Sequence, residues 1–191
     1  MTGPHVGGGS TEENMLSLRS TAGATLVATV CGIALVTQVQ AGANNVAFPE
    51  NYAKGVKWLV VDKADTKQVH ELFATPEAIA AAGKDQPMPN GTAFMVVRHA
   101  AQLDPQGNPV KGADGRLVKG EVLGFNAMEK RNGWGSEYPD TLPNGEWEYR
   151  AFTADKKPNE SVKLTACFEC HKPLASQDFV HAYDKLKEAA R

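Results

Sequence analysis

The sequence predicts an α+β fold: a single domain built mainly on an antiparallel β-sheet with a few flanking helices. Three observations support it. Glu146-Trp147-Glu148-Tyr149-Arg150-Ala151-Phe152 alternates polar and apolar residues with the period of a half-buried antiparallel strand. Pro89-Asn90-Gly91 is a turn that opens onto Thr92-Ala93-Phe94-Met95-Val96-Val97, an apolar run of strand length. No internal repeat and no evident linker divides the chain, so one hydrophobic core is expected.

The elements follow in chain order. Residues Met1 to Asn14 are Gly-rich and lack apolar periodicity. Met15-Leu16-Ser17-Leu18-Arg19 then supplies one positive charge, followed by the apolar run Ala22 to Val36 and by Thr37-Gln38-Val39-Gln40-Ala41. This is the three-part layout of a secretory signal peptide cut after about Ala41. A retained membrane anchor is the competing reading, but the run falls short of the ~20 residues that span hydrocarbon. Residues 1–41 are therefore expected to be an extension plus a removed leader, with Met15 as an alternative start, and residues 42–191 to be the working domain. Removal takes Cys31 with it and leaves Cys167 and Cys170. Export implies an oxidising compartment, most simply a bacterial periplasm.

Within the domain, Gly55 to Val61 reads as a strand or a short helix leading into one. Thr75-Pro76-Glu77 is a helix start, with a hydroxyl at the N-cap, Pro in the first turn and then an acid. That helix runs through Ala82 and stops at Gly83. Asp104 to Gly120 is rich in Gly and Pro and reads as a long loop or wide hairpin tip. Glu121 to Met128 is a further strand, and Pro143-Asn144-Gly145 turns into the alternating strand already described. Asp178 to Arg191 carries Phe179, Val180, Tyr183 and Leu186 at helical spacing and reads as a closing helix.

The whole chain has 191 residues with 20 basic and 22 acidic side chains, a net charge of −2. That balance gives no electrostatic footprint for nucleic acid or anionic lipid. Chemistry is concentrated in Cys167-Phe168-Glu169-Cys170-His171. Cys-x-x-Cys-His is the attachment signature of haem c. Residues at i and i+3 share one face of a helical turn, so both thiols reach the two vinyl groups on one side of a porphyrin. The adjacent His171 then offers an imidazole nitrogen to the iron as proximal ligand. Two other uses of the pair compete. A redox disulfide expects a βαβ context, which the pattern lacks. A zinc site needs a fourth ligand from His70, His99, His181 or a carboxylate.

The sixth iron position decides the function class. The domain retains Met88, Met95 and Met128, all upstream of His171. Each reads as a core filler rather than a ligand, and His181 reads as a surface or packing residue. An open, apolar distal face follows, with Phe94 and Phe125 as its candidate residues. Such a site binds or transforms a small molecule.

Cys167-Phe168-Glu169-Cys170-His171-Lys172-Pro173, followed by Asp178-Phe179-Val180, resembles the C-terminal signature of the cytochrome P-460 family. Phe48-Pro49-Glu50-Asn51-Tyr52, Pro89-Asn90-Gly91-Thr92, Gly133-Trp134-Gly135 and Gly145-Glu146-Trp147 occur in the order that family shows. The resemblance covers about Phe48 to Leu186. It implies a mainly antiparallel sheet with flanking helices, a homodimer, and one covalently attached, five-coordinate haem c. Members with a lysine tied to the porphyrin edge oxidise hydroxylamine, whereas the related cytochromes c′-beta lack it and bind nitric oxide. In the family that lysine follows the Pro-x-Gly-Thr turn; here the strand reads Ala93-Phe94-Met95-Val96-Val97-Arg98, without lysine. A guanidinium is a poor nucleophile and Arg98 does not replace it.

The expectation is thus a periplasmic haem c protein that binds nitric oxide or a related small nitrogen species, with a possible periplasmic redox partner. One alternative is a hydroxylamine or nitric oxide oxidoreductase using Lys84 or Lys119. The other is an electron carrier with Met or His as sixth ligand.

Overall fold

The computed structural model describes residues 45–136, 138 and 143–191. The expected leader, residues 1–41, lies outside them.

Five strands form one antiparallel meander in the order β1-β2-β3-β4-β5. They are β1 (Val56–Lys63), β2 (Gln68–Ala74), β3 (Ala93–Ala101), β4 (Lys119–Lys130) and β5 (Trp147–Thr153). The predicted sheet is therefore present, and every neighbouring pair is consecutive in sequence. β2 was not foreseen, because QVHELFA mixes charge and bulk without clean alternation; pairing with β1 and β3 on both sides makes it a strand. The Gly/Pro-rich stretch after β3 extends the hairpin through bridges Leu103–Pro109 and Lys111–Leu117.

The register sorts side chains onto two faces. Phe94 opposes Met128, Val96 opposes Asn126, and Met128 opposes Tyr149, so these share one face with Leu72 and Ala151. Helices α1 (Pro76–Gly83), α2 (Thr165–His171) and α3 (Tyr183–Glu188) cover this face. Ala78, Ile79, Phe168 and Leu186 enter a shared core with Phe94, Met128, Trp147 and Tyr149. On the other face, Val46, Phe48 and Tyr52 close over Met95, Val97, Phe125 and Phe152. Phe48 packs edge-on to Phe125 at 5.0 Å and to Phe152 at 5.2 Å.

Both faces being covered changes the reading of β5. The polar/apolar alternation suggested one wet side, yet Glu148 is 0% exposed beside the equally buried Trp147. One oxygen of its carboxylate accepts a hydrogen bond from Asn45 Nδ2 at 3.2 Å, contributed by the layer that covers the opposite face.

Gly124 has φ +151°, and a Cβ there would lie 2.5 Å from the Phe152 carbonyl oxygen, so β4 and β5 approach closely only with glycine. Helix α1 begins where the Thr-Pro-Glu signal placed it. However, the Thr75 hydroxyl makes no cap; its backbone carbonyl accepts from Ala78 and Ile79 instead. The closing helix is shorter than periodicity suggested. Asp178, Phe179 and Ala182 have φ of 51°, 61° and 52°, which breaks the 178–191 segment and leaves only Tyr183–Glu188 helical.

Candidate functional site

The Cys-x-x-Cys-His segment forms α2 and the step out of it. Both thiols are free, with Cys167 half-buried and Cys170 exposed. Helical spacing puts them on one side of α2. Between α2 and the sheet lies a cavity of about 340 Å³, large enough for a cofactor site. Cys167, Cys170, His171, Val180 and His181 line one side. Trp58, Leu72, Phe94, Val96 and Met128 line the other, with the exposed Asn126 beside them.

His171 is oriented before any ligand arrives. Its Nδ1 is 2.7 Å from the Phe179 carbonyl oxygen. A carbonyl only accepts, so Nδ1 carries the proton and Nε2 keeps its lone pair for a metal. Burial pushes the imidazole pKa below its ordinary value, and the Phe179 bond pulls the other way. The net lowering favours the neutral imidazole near pH 7, the form that could serve as a ligand. Burial likewise pushes the Cys167 thiol up, which favours its protonated form.

Aromatic rings brace the imidazole. Tyr149 lies 4.8 Å from His171 by ring centroids, and His181 crosses it edge-on at 4.6 Å. Phe168, on the core side of α2, meets Tyr149 at 4.9 Å and Tyr138 at 5.0 Å. Asn144 donates from Nδ2 to both the Tyr149 hydroxyl and the Phe168 carbonyl, each at 3.0 Å. These contacts tie the sheet to the motif helix.

These residues fit a c-type haem. Two free thiols share a helical face, a tautomer-fixed imidazole presents a free Nε2, and an apolar cavity adjoins them. Cys167 and Cys170 would carry the porphyrin edge and His171 would ligate the iron. The competing uses of the cysteines find less support. Among the described residues every strand pair is antiparallel, with no parallel βαβ unit. Among the described residues no group of three or more His, Cys, Asp and Glu side chains could hold a metal ion. His99 is instead engaged by Glu71 at 3.1 Å, and His70 by Gln68 at 2.9 Å.

The structure separates the two aromatic candidates. Phe94 is in the cavity wall, packed between Trp58 at 6.4 Å and Trp147 at 5.8 Å. Phe125 is not: it pairs in register with Val97 and Phe152, so strand alternation sends it to the opposite face. Among the described residues no lysine lines the cavity. Lys84 follows α1 as its C-cap, and Lys119 binds Glu71 at 2.8 Å. Met88 and Met128 lie in the core on the cavity side and Met95 in the core on the other.

Sequence reasoning missed Trp58, Tyr149, Asn144 and Asp178. Tyr149 sat inside a recognised strand whose facing could have been inferred from the alternation. Asn144 looked like an ordinary turn residue, and only the fold brings it against α2.

The model of the cytochrome P460 family matches residues 49–182, a span that takes in all five strands, α1, α2 and the cavity. No curated protein matches the chain.

Proposed function

The chain belongs to the cytochrome P460 family, and from that premise we propose that it is an exported monohaem c-type cytochrome whose iron has one protein ligand, His171, and which binds nitric oxide or a related small nitrogen species. The supporting observation is the wall facing His171. Trp58, Leu72, Phe94, Val96 and Met128 make it mostly hydrocarbon and aromatic, with Asn126 at its exposed side, and among the described residues no lysine lines it. An amine is the group a porphyrin cross-link needs, so its absence favours ligand binding over hydroxylamine oxidation.

When bound, the haem supplies an iron with an open coordination position. The chain's residues do the rest. Cys167 and Cys170 hold the group covalently by thioethers. His171 donates Nε2, steered by the Phe179 carbonyl. Phe94 and Trp58 exclude water and favour a small neutral ligand over a charged one. The same proposal includes export to the periplasm through residues 1–41, a homodimer, and a periplasmic redox partner. It rests there on the apolar leader pattern and the family resemblance.

The absorption spectrum of the reduced protein tests it. A broad high-spin c-type Soret band, converted stoichiometrically by nitric oxide, is the expected result. A strongly red-shifted Soret band would mean a lysine cross-link and an oxidoreductase. Sharp low-spin bands would mean an electron carrier. Either overturns the proposal.

A further inference from the structure

Lys130 at the end of β4 and Asp178 beyond α2 meet at 2.8 Å, with side chains only 14% and 19% exposed. The Asp178 carboxylate is unusually well occupied. Lys130 Nζ donates to both oxygens, at 3.1 and 2.8 Å. Trp147 Nε1 donates to one at 3.2 Å, and the Met88 backbone N–H to the other at 2.8 Å. Lys130 Nζ also sits 5.7 Å from the centre of the Trp147 ring.

That clamp holds an unfavourable turn. Asp178 and Phe179 are successive non-glycine residues with φ of 51° and 61°. Left-handed backbone is strained for such residues, so it persists only where the surroundings enforce it. The turn has one consequence for the site: it carries the Phe179 carbonyl to 2.7 Å from His171 Nδ1.

We propose that Lys130, Asp178 and Trp147 are positioning residues for the proximal imidazole: they lock the 178–179 turn so that the Phe179 carbonyl sets the donor strength of His171 Nε2 toward the haem iron. This rests on the haem reading above. None of the three side chains ligates; each acts through the Phe179 carbonyl. An imidazole whose Nδ1–H is firmly bonded is the more basic ligand. It binds iron more strongly and favours the ferric state. Releasing the turn weakens that bond and reverses both effects.

Asp178→Asn and Lys130→Met in the holoprotein test this, read by the iron–histidine stretching band of the ferrous form, the reduction midpoint and Tm. The band should shift to lower frequency and the midpoint upward in both variants. The double variant should shift little further than the larger single, because the residues act as one unit. Glu129→Gln breaks the neighbouring Arg131–Glu129 pair and should leave band and midpoint unchanged. A fall in Tm with the band and midpoint unmoved would overturn the proposal and leave the clamp purely structural. If neither variant yields folded holoprotein, Trp147→Phe removes one hydrogen bond while keeping a ring in place, and the same two readings apply. Absence of covalent haem in the parent would instead overturn the haem reading.

Discussion

The Tyr149 ring lies 4.8 Å from the His171 imidazole, tilted by 46°, and its hydroxyl is held by Asn144. One turn residue thus supports the strand side and the helix side of the site together. Asn144→Ala removes two buried hydrogen bonds and leaves the Phe168 carbonyl and the Tyr149 hydroxyl without that donor. The expected cost is about 1–3 kcal/mol. Denaturant unfolding should show it as a lower midpoint at unchanged slope.

Tyr149 also makes a pH prediction. Burial raises its pKa well above the ordinary phenol value, and the Asn144 bond offsets this only in part. The protonated phenol is therefore the form the fold favours. Its contribution to stability is fully present below about pH 10 and is lost as pH rises beyond that toward the folded value. Tyr149→Phe should make Tm less sensitive to pH above 10, and alkaline absorbance titration should lose one late, unfolding-linked tyrosinate.

Glu71 predicts the opposite limb. Burial alone would raise its pKa, but hydrogen bonds and charge from Lys119 and Lys57, at 2.8 and 3.0 Å, outweigh it and hold the carboxylate at about 2. A depressed folded value stabilises the protein above the unfolded pKa of about 4.5, and that stability is lost as pH falls toward 2. Both lysines are about half exposed, so the pair is screened and the effect modest. Glu71→Gln should lower Tm at pH 7 and flatten its fall between pH 4.5 and 2.

Much of this molecule was legible because short-range signals agreed with tertiary ones. Spacing singled out Cys167, Cys170 and His171, which the structure brings to one cavity, and Pro76 with Gly83 marked the bounds of α1. What could not be read was whatever depends on two covered sheet faces. Phe125 and Phe94 look equivalent in sequence, yet the register puts them on opposite sides of the sheet. Glu148 looked solvated because nothing local announces the layer formed by Val46 and Phe48. The last helix was read as starting five residues too early, at Asp178 rather than Tyr183, because periodicity is blind to the Asp178 clamp, made by partners 31, 48 and 90 residues away.

Attachment chemistry gives a direct prediction. Cys167→Ala and Cys170→Ala should each leave one thioether, and haem staining on denaturing gels should persist at reduced intensity. The double variant should lose covalent staining, since the domain from residue 42 onward has no other cysteine. Full staining of the double variant would remove the haem c assignment.

The methionines provide the last test, because the structure makes only one of them a serious rival ligand. Met88 is 2% exposed in the core beside the helices, and its backbone N–H is committed to Asp178. Met95 is 2% exposed, and its side chain packs with Phe125 and Phe152 on the other face. Met128 differs: it opposes Phe94 and Tyr149 in register, so its side chain faces the cavity, whereas Met95 borders the cavity from a strand position whose side chain packs in the opposite core. A thioether there is on the side a sixth ligand would come from, whereas strand alternation keeps the Met95 sulfur away. If His171 is the sole protein ligand, Met128→Leu should keep a high-spin ferrous spectrum and the same nitric oxide stoichiometry. Its cost should stay under about 1.5 kcal/mol, because Leu conserves volume. Met128→Ala should cost roughly 2–5 kcal/mol through the cavity it opens, still without a spin-state change. Low-spin bands in the parent that become high-spin in Met128→Leu would make Met128 an axial ligand. The same switch in Met95→Leu would contradict the register of β3 itself.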